Sequence, residues 1–232
     1  MMGLFMEILK AINELEGKIG YVFKDKELIK LALTHSSYSN ELKINKYGNY
    51  ERLEFLGDAV LELCSSLFFY NAYPDMNEGQ LTRLRSSMVC EQALAFCSRE
   101  FDLQEYILLG KGEASTGGKN RDSIVSDVYE AVLGAIYLDG GFEEANKFVV
   151  NYVLKDLENK QLFFDAKTIL QERVQKDGKV LTYELVGEKG PDHAKEFTVN
   201  AVVDGKVLGT GVGKSKKQAE QQAAYQVLTK GK

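Results

Sequence analysis

"ERLEFLGDAVLEL", residues 51–63, decides how the first half of this 232-residue chain is read. At about 100° per residue, Leu53, Leu56, Ala59, Val60, Leu63 and Cys64 gather on one broad apolar face. Glu51, Glu54, Asp58 and Glu62 share a narrow sector opposite, and Phe55 lies among them. Like charges four residues apart cost an exposed helix only roughly a few tenths of a kcal/mol, so a solvated acidic face is one reading. The aromatic argues against it, because a large ring in an acidic sector calls for cover from another element or another chain.

A second stretch bears on the same question. "SIVSDVYEAVLGAIYL", residues 123–138, is apolar on almost every side and predicts a buried central helix. Asp127 and Glu130 interrupt it at i and i+3, with Ser123 and Gly134 on the same stripe. Carboxylates are rarely buried unpaired, because removal from water makes them protonate or seek a cation. If the two stripes face each other, four or five acids share one pocket, and only Arg52 lies nearby to neutralise them. A hard divalent cation then becomes the natural partner, and an all-oxygen set suits Mg²⁺ or Mn²⁺. The chain has only His35 and His193 and no ExxH pattern, which argues against a di-iron bundle or a zinc hydrolase. Carboxylate-held Mg²⁺ pairs clamp the attacking and leaving oxygens in phosphodiester hydrolysis.

Composition divides the chain in two. Residues 165–232 carry 12 Lys+Arg against 9 Asp+Glu, and residues 1–164 carry 17 against 25, so a basic part follows an acidic one. The expected boundaries are 5–160 and 165–232. The first part reads as helix nearly throughout, in the runs 25–39, 49–71, 78–101, 121–141 and 142–158, punctuated by the Gly-rich loop "GKGEASTGGKNRD". The second reads as α-β-β-β-α: a helix closed by Gly178, three strands with a tight Asp204–Gly205 turn between the last two, and an Ala-rich closing helix. The fold class expected is an all-α N-terminal domain followed by a small α+β domain. No apolar run approaches the ~20 residues of a membrane span. The charged, helix-periodic start does not read as a signal peptide. Three cysteines without a CxxC pair suit a reduced, cytoplasmic chain with thiols as small core residues.

"ERLEFLGDAVLEL" resembles the signature helix of bacterial ribonuclease III, the double-stranded-RNA endonuclease. "LALTHSSY" (31–38), "EGQLTRLRSSMV" (78–89) and "DSIVSDVYEAVLGAIYLDGG" (122–141) extend the resemblance. The C-terminal "KTILQERVQ", "GPDHAKEF" and "GVGKSKKQAEQQAA" are similar to a double-stranded-RNA-binding domain. The resemblance implies that Glu54, Asp127 and Glu130 hold one Mg²⁺ and that Asp58 positions a second metal or the attacking water, which makes Asp58 and Glu130 the catalytic pair. Glu51 and Glu78 would take secondary acidic roles. It also implies a homodimer in which Phe55 enters a socket on the other subunit, ordinary intrachain packing being the alternative. The products would then carry 5′-phosphates, 3′-hydroxyls and short 3′ overhangs, and the substrates would include ribosomal RNA precursors and structured messages. Two positions depart from the family pattern: Tyr50, preceded by Asn49, stands where Asn commonly precedes the first glutamate, and Ser126 replaces a frequent alanine.

Three surfaces are expected to meet RNA, whose A-form minor groove is read by shape across ~16 bp. Thr168, Gln171 and Glu172 share a helix face that is either a groove contact or a polar solvent face. His193 lies in the loop "EKGPDH" and is either a second groove contact or a plain loop residue. Lys214, Lys216 and Lys217 crowd a helix N-terminus, where cations oppose the macrodipole by roughly 0.3–1 kcal/mol each unless a phosphate is held there. Lys119 and Arg121 are open between phosphate contact and a solvated loop. From another class, a non-catalytic RNA scaffold would be expected to have lost at least one metal acid, and none of the four is missing. A helical metal-storage protein would leave the C-terminal half without purpose.

Overall fold

The computed structural model describes residues 2–43, 48–157, 160, 162, 165–190 and 195–230, with side chains described from residue 6 onward. The chain divides into two compact units, Met1–Lys155 and Asp156–Lys232. The first is helical: α1 (Met2–Ile19), α2 (Lys26–Ala32), α3 (Ser36–Glu41), α4 (Glu51–Ala72), α5 (Glu78–Met88), α6 (Glu91–Arg99), α7 (Lys111–Ser115), α8 (Asp122–Gly140) and α9 (Phe142–Tyr152). Short 3₁₀ turns at Leu103–Tyr106 and Gly118–Asn120 join some of them.

The unit is built around α8, which buries every residue from Ile124 to Ile136 except Asp127 and Glu130. A helix apolar on all sides must be surrounded, and α2, α4, α6 and α9 pack around it. Tyr129, fully buried, stacks on Phe148 of α9 at 5.1 Å. Cys64 and Cys97 are buried and Cys90 is half-buried. Two clamps fix the ends of the core. Asp139 accepts the Tyr21 hydroxyl at 2.7 Å and the backbone N–H groups of Lys24 and Asp25 at 2.9 Å each. Buried Glu16 accepts the Phe23 N–H at 2.8 Å and pairs with Lys26.

Two sequence runs expected as continuous helices are each broken in two. The run 25–39 stops at Leu33 because Thr34 leaves the helix to bridge Leu108, and His35 caps α3 by accepting the Ser37 N–H. The run 78–101 divides at Val89–Cys90 into α5 and α6. The apolar face expected for α4 is also rotated. Leu53, Gly57, Val60, Leu61, Cys64, Ser65 and Phe69 are buried, whereas Ala59 and Leu63 are exposed. The cause is α8, which lies against the Gly57 side of α4 and draws the buried sector that way.

The second unit is α10 (Ala166–Lys176), β1 (Leu181–Lys189), β2 (Glu196–Val203), β3 (Lys206–Gly213) and α11 (Lys216–Thr229). The strands form an antiparallel sheet in the order β1-β2-β3. Asp204 and Gly205, both at positive φ, make the expected hairpin turn, and Gly178 at φ +70 closes α10. Ala166, Leu170, Val174, Ala201, Val203, Ala223, Ala224 and Leu228 form the core between sheet and helices.

Candidate active site

The geometry of the acidic cluster begins with two glycines. A Cβ on Gly57 of α4 would stand 1.8 Å from the Glu130 carbonyl oxygen on α8, and one on Gly134 would stand 2.3 Å from that of Leu53. The two backbones therefore touch where side chains would hold them apart. This crossing brings Glu54 and Asp58, on either side of Gly57, beside Asp127 and Glu130, one turn before Gly134.

The electrostatics record that proximity. Burial pushes the Glu54 carboxyl up to about 7, and the charges of Asp127, Glu51 and Asp58 add to the rise. Burial pushes Glu130 up to about 8, reinforced by Asp58, Asp127 and Glu54. Asp127 is raised as well, mainly by burial, with the Tyr50 hydroxyl working in the opposite direction. Among the described residues none of the four acids forms an ion pair with Lys or Arg. Glu62, placed in the same sector by helical spacing, is drawn out of it by Arg85 of α5 at 2.9 Å, and that guanidinium also donates to Ser66 Oγ at 2.7 Å.

Among the described residues no three acidic, histidine or cysteine side chains already enclose a common point. The four acids form a charge-coupled cluster, and their side chains still have to close on an ion. The donor set suits a hard divalent cation: it offers only carboxylate oxygens, has no built-in cation, and carries a mutual repulsion that a bound cation relieves.

Glu51 is exposed in the first turn of α4, and Glu78 is exposed at the head of α5, where it accepts the Thr82 hydroxyl at 3.1 Å. Asn49 supplies the cap that Tyr50 does not, its Oδ1 accepting the Glu51 N–H at 3.2 Å. Ser126 donates locally to the Ser123 carbonyl at 2.9 Å. Phe55 is 83% exposed. With Ala59, Leu63, Leu67 and Tyr70 it makes a line of exposed apolar side chains along α4. Sequence reading missed three features of the site: the contact role of Gly57, the hydroxyl of Tyr50, and Glu91, whose charge helps raise Asp127. Gly57 carried a signal, since a helix-interior glycine costs about 1 kcal/mol relative to alanine and so marks a close approach.

In the second unit, Thr168 and Glu172 are exposed and Gln171 half-buried on the face of α10 away from Leu170 and Val174. Lys214, Lys216 and Lys217 are exposed around the start of α11. Ser215 caps that helix by accepting the Gln218 N–H at 3.2 Å, while Gln218 Oε1 accepts the Lys214 N–H at 2.8 Å. Gly209, Gly211 and Gly213 let β3 lie directly on the α11 backbone, a Cβ on Gly211 standing 2.1 Å from the Ala219 carbonyl. The three lysines are thus carried by a rigidly docked helix end. His193 lies outside the described residues. In the first unit, Lys119 pairs with Glu105 and Arg121 with Glu113, so both are engaged within the loop region.

The Ribonuclease-III-like family matches residues 25–157, and the double-stranded RNA binding motif matches residues 166–230. The chain is 47% identical to the Ribonuclease 3 of Streptococcus thermophilus over 224 residues, which covers 94% of this chain and 98% of that protein. It is 45% identical to the Ribonuclease 3 of Bacillus licheniformis over 230 residues, which covers 98% and 92%.

The chain belongs to the ribonuclease III family.

Among solved structures, the nuclease domain of ribonuclease III from Campylobacter jejuni is 40% identical, with a TM-score of 0.58, and covers 62% of this chain and 97% of that one. Its description concerns flexibility in a region involved in dimer formation of that domain. As a ribonuclease III with a double-stranded-RNA-binding domain, the chain is a ribonuclease hydrolase that acts on double-stranded RNA, and its fold joins a helical nuclease domain to an α+β binding domain.

Proposed function

We propose that the chain hydrolyses both strands of double-stranded RNA with Mg²⁺, Mn²⁺ substituting, at the α4–α8 crossing. Glu54, Asp127 and Glu130 would hold one ion, and Asp58 would hold a second or orient the attacking water. The observation that supports this most is the set of four acids drawn together by Gly57 and Gly134 with no cationic side chain paired to them among the described residues. When bound, the ion supplies charge neutralisation at the scissile phosphate and a water more easily deprotonated. The protein's own part is to fix the carboxylates on two packed helices. Burial and the charges of Asp58, Asp127 and Glu54 raise the Glu130 carboxyl in the metal-free chain, so ion binding there would be coupled to loss of its proton. The products would carry 5′-phosphates and 3′-hydroxyls.

The line from Phe55 to Tyr70 on α4 supports a homodimer as the working unit. A large exposed apolar line on an otherwise charged helix suits a second copy of the same surface. Two sites per dimer would cut the two strands and leave short 3′ overhangs. Lys214, Lys216 and Lys217 would grip phosphates, Thr168, Gln171 and Glu172 would face the minor groove, and His193 would make a second groove contact. Glu51 and Glu78 would have secondary roles. Ribosomal RNA precursors and structured messages in the cytoplasm are the substrates we assign. Among the described residues no helix is long and apolar enough to cross a membrane.

The test is cleavage of a plain RNA duplex with and without Mg²⁺, with ends mapped, for the native chain and Glu130→Gln. The variant should lose at least about 100-fold in rate, beyond the 10–100-fold typical of groups one step removed from a metal, while still binding the duplex in Ca²⁺. Equal cleavage by Glu130→Gln, or cleavage unaffected by chelation, would overturn the mechanism.

A further inference from the structure

Tyr50 stands at the junction of three elements. Its N–H donates to the Thr34 carbonyl at 2.9 Å, which ties the start of α4 to the segment between α2 and α3. Its carbonyl accepts the N–H groups of Leu53 at 2.8 Å and Glu54 at 2.9 Å, so it opens the helix that carries Glu54 and Asp58. Its ring lies against His35, with centroids 5.6 Å apart, and the residue is only 5% exposed. The side chain does not cap α4. It reaches across to α8, where the hydroxyl donates to Asp127 Oδ2 at 3.4 Å.

That bond is long, and it is the hydroxyl's one hydrogen bond among the described residues. A phenol that is buried needs an acceptor, and here the acceptor is one of the four clustered acids. The contact has a clear physical consequence. A carboxylate on a helix can swing through its χ angles, and a donor on one oxygen limits that swing while leaving the other oxygen available. Groups that hydrogen-bond to ligating side chains orient them and raise metal affinity. Tyr50 also couples the two acid-bearing helices directly, since its backbone begins α4 and its side chain grips α8. The Glu51 N–H at the helix start is served by Asn49 Oδ1.

We infer that Tyr50 is a positioning residue for divalent-metal binding, its hydroxyl orienting the Asp127 carboxylate across the α4–α8 crossing. This rests on the assignment of Asp127 as a metal ligand, and the experiment separates the two. Mn²⁺ binding to the full chain is measured by calorimetry for the native protein, Tyr50→Phe and Asp127→Asn, together with metal-free Tm. Phenylalanine keeps the ring, its packing on His35 and every backbone bond, and removes only the donor. The Mn²⁺ Kd of Tyr50→Phe should rise about tenfold, at the low end for such groups, with metal-free Tm unchanged. The metal concentration that gives half-maximal cleavage should rise in parallel, while kcat at saturating Mn²⁺ stays near the native value. Asp127→Asn should weaken binding more. If Tyr50→Phe binds Mn²⁺ like the native chain while Asp127→Asn does not, the role of Tyr50 is wrong and the site assignment stands. If Asp127→Asn also binds normally, the site assignment fails and takes this inference with it. A drop in metal-free Tm for Tyr50→Phe would assign the hydroxyl to packing and overturn the proposal.

Discussion

The α4–α8 crossing and the start of α11 solve opposite problems with the same device. In both, a glycine contact lets two backbones touch: Gly57 and Gly134 in the first, Gly209, Gly211 and Gly213 in the second. At α4–α8 the contact draws acids together, with Glu54, Asp127 and Glu130 half-buried and Asp58 exposed, and burial raises Glu54 and Glu130 toward neutrality. At α11 it fixes a helix end whose lysines stay exposed. Chemistry on a phosphodiester needs charges coupled strongly enough to bind an ion. Recognition of an RNA backbone needs charges left free to meet phosphate. The contrast is one of burial: Glu54, Asp127 and Glu130 are half-buried, whereas Lys214, Lys216 and Lys217 are exposed.

The sharpest way to break the comparison is to remove the first contact. Gly57→Ala puts a methyl 1.8 Å from a backbone oxygen, which no side-chain rotation relieves. Helix separation should cost about 3 kcal/mol or more, seen as a large fall in Tm, and cleavage should vanish. A variant with native Tm and native activity would show that the close approach does not organise the site.

Next in size is the charge at α11. Replacing Lys214, Lys216 and Lys217 with alanine should weaken duplex RNA binding and flatten the dependence of log K on log salt. The slope should fall by about one for each phosphate that is no longer neutralised. Tm should hardly move, since these side chains are exposed. An unchanged slope would remove the phosphate role from all three.

A third handle is a pH dependence confined to the acidic cluster. Glu130 has its folded value raised from 4.5 to about 8. Between those two values the folded state binds the proton more tightly than the unfolded state does. Stability from this group is therefore present at low pH, declines as pH rises through that window, and is gone above it. In chelator, the native chain should lose Tm relative to Glu130→Gln as pH rises from the unfolded value of 4.5 through the folded value of about 8, and Mn²⁺ binding should tighten over the same range. A parallel Tm profile for the two proteins would contradict the raised value.

Much of this was legible in the sequence because it depends on spacing. The acids at i, i+4 and i, i+3, the Asp204–Gly205 turn and the alanine face of α11 are periodic or local signals, and periodicity names the elements that carry them. Features that depend on a neighbouring element were not legible. The buried sector of α4 is set by where α8 lies, so Ala59 and Leu63 read as core on spacing alone and are exposed. Glu62 shares the acidic sector of α4 with Glu54 on helical spacing until Arg85 of α5 is seen beside it. The hydroxyl of Tyr50 had no legible partner because Asp127 lies 77 residues away. Thr34 ends a helix through a bridge to Leu108, which no local pattern announces.

Under the proposed function, Glu54, Asp127 and Glu130 close on one divalent ion between α4 and α8. Anomalous diffraction from crystals soaked in Mn²⁺ tests it most directly. A peak is expected at this crossing, with carboxylate oxygens of all three residues about 2.0–2.3 Å from it. Manganese bound elsewhere, with these side chains turned away from it, would contradict the claim.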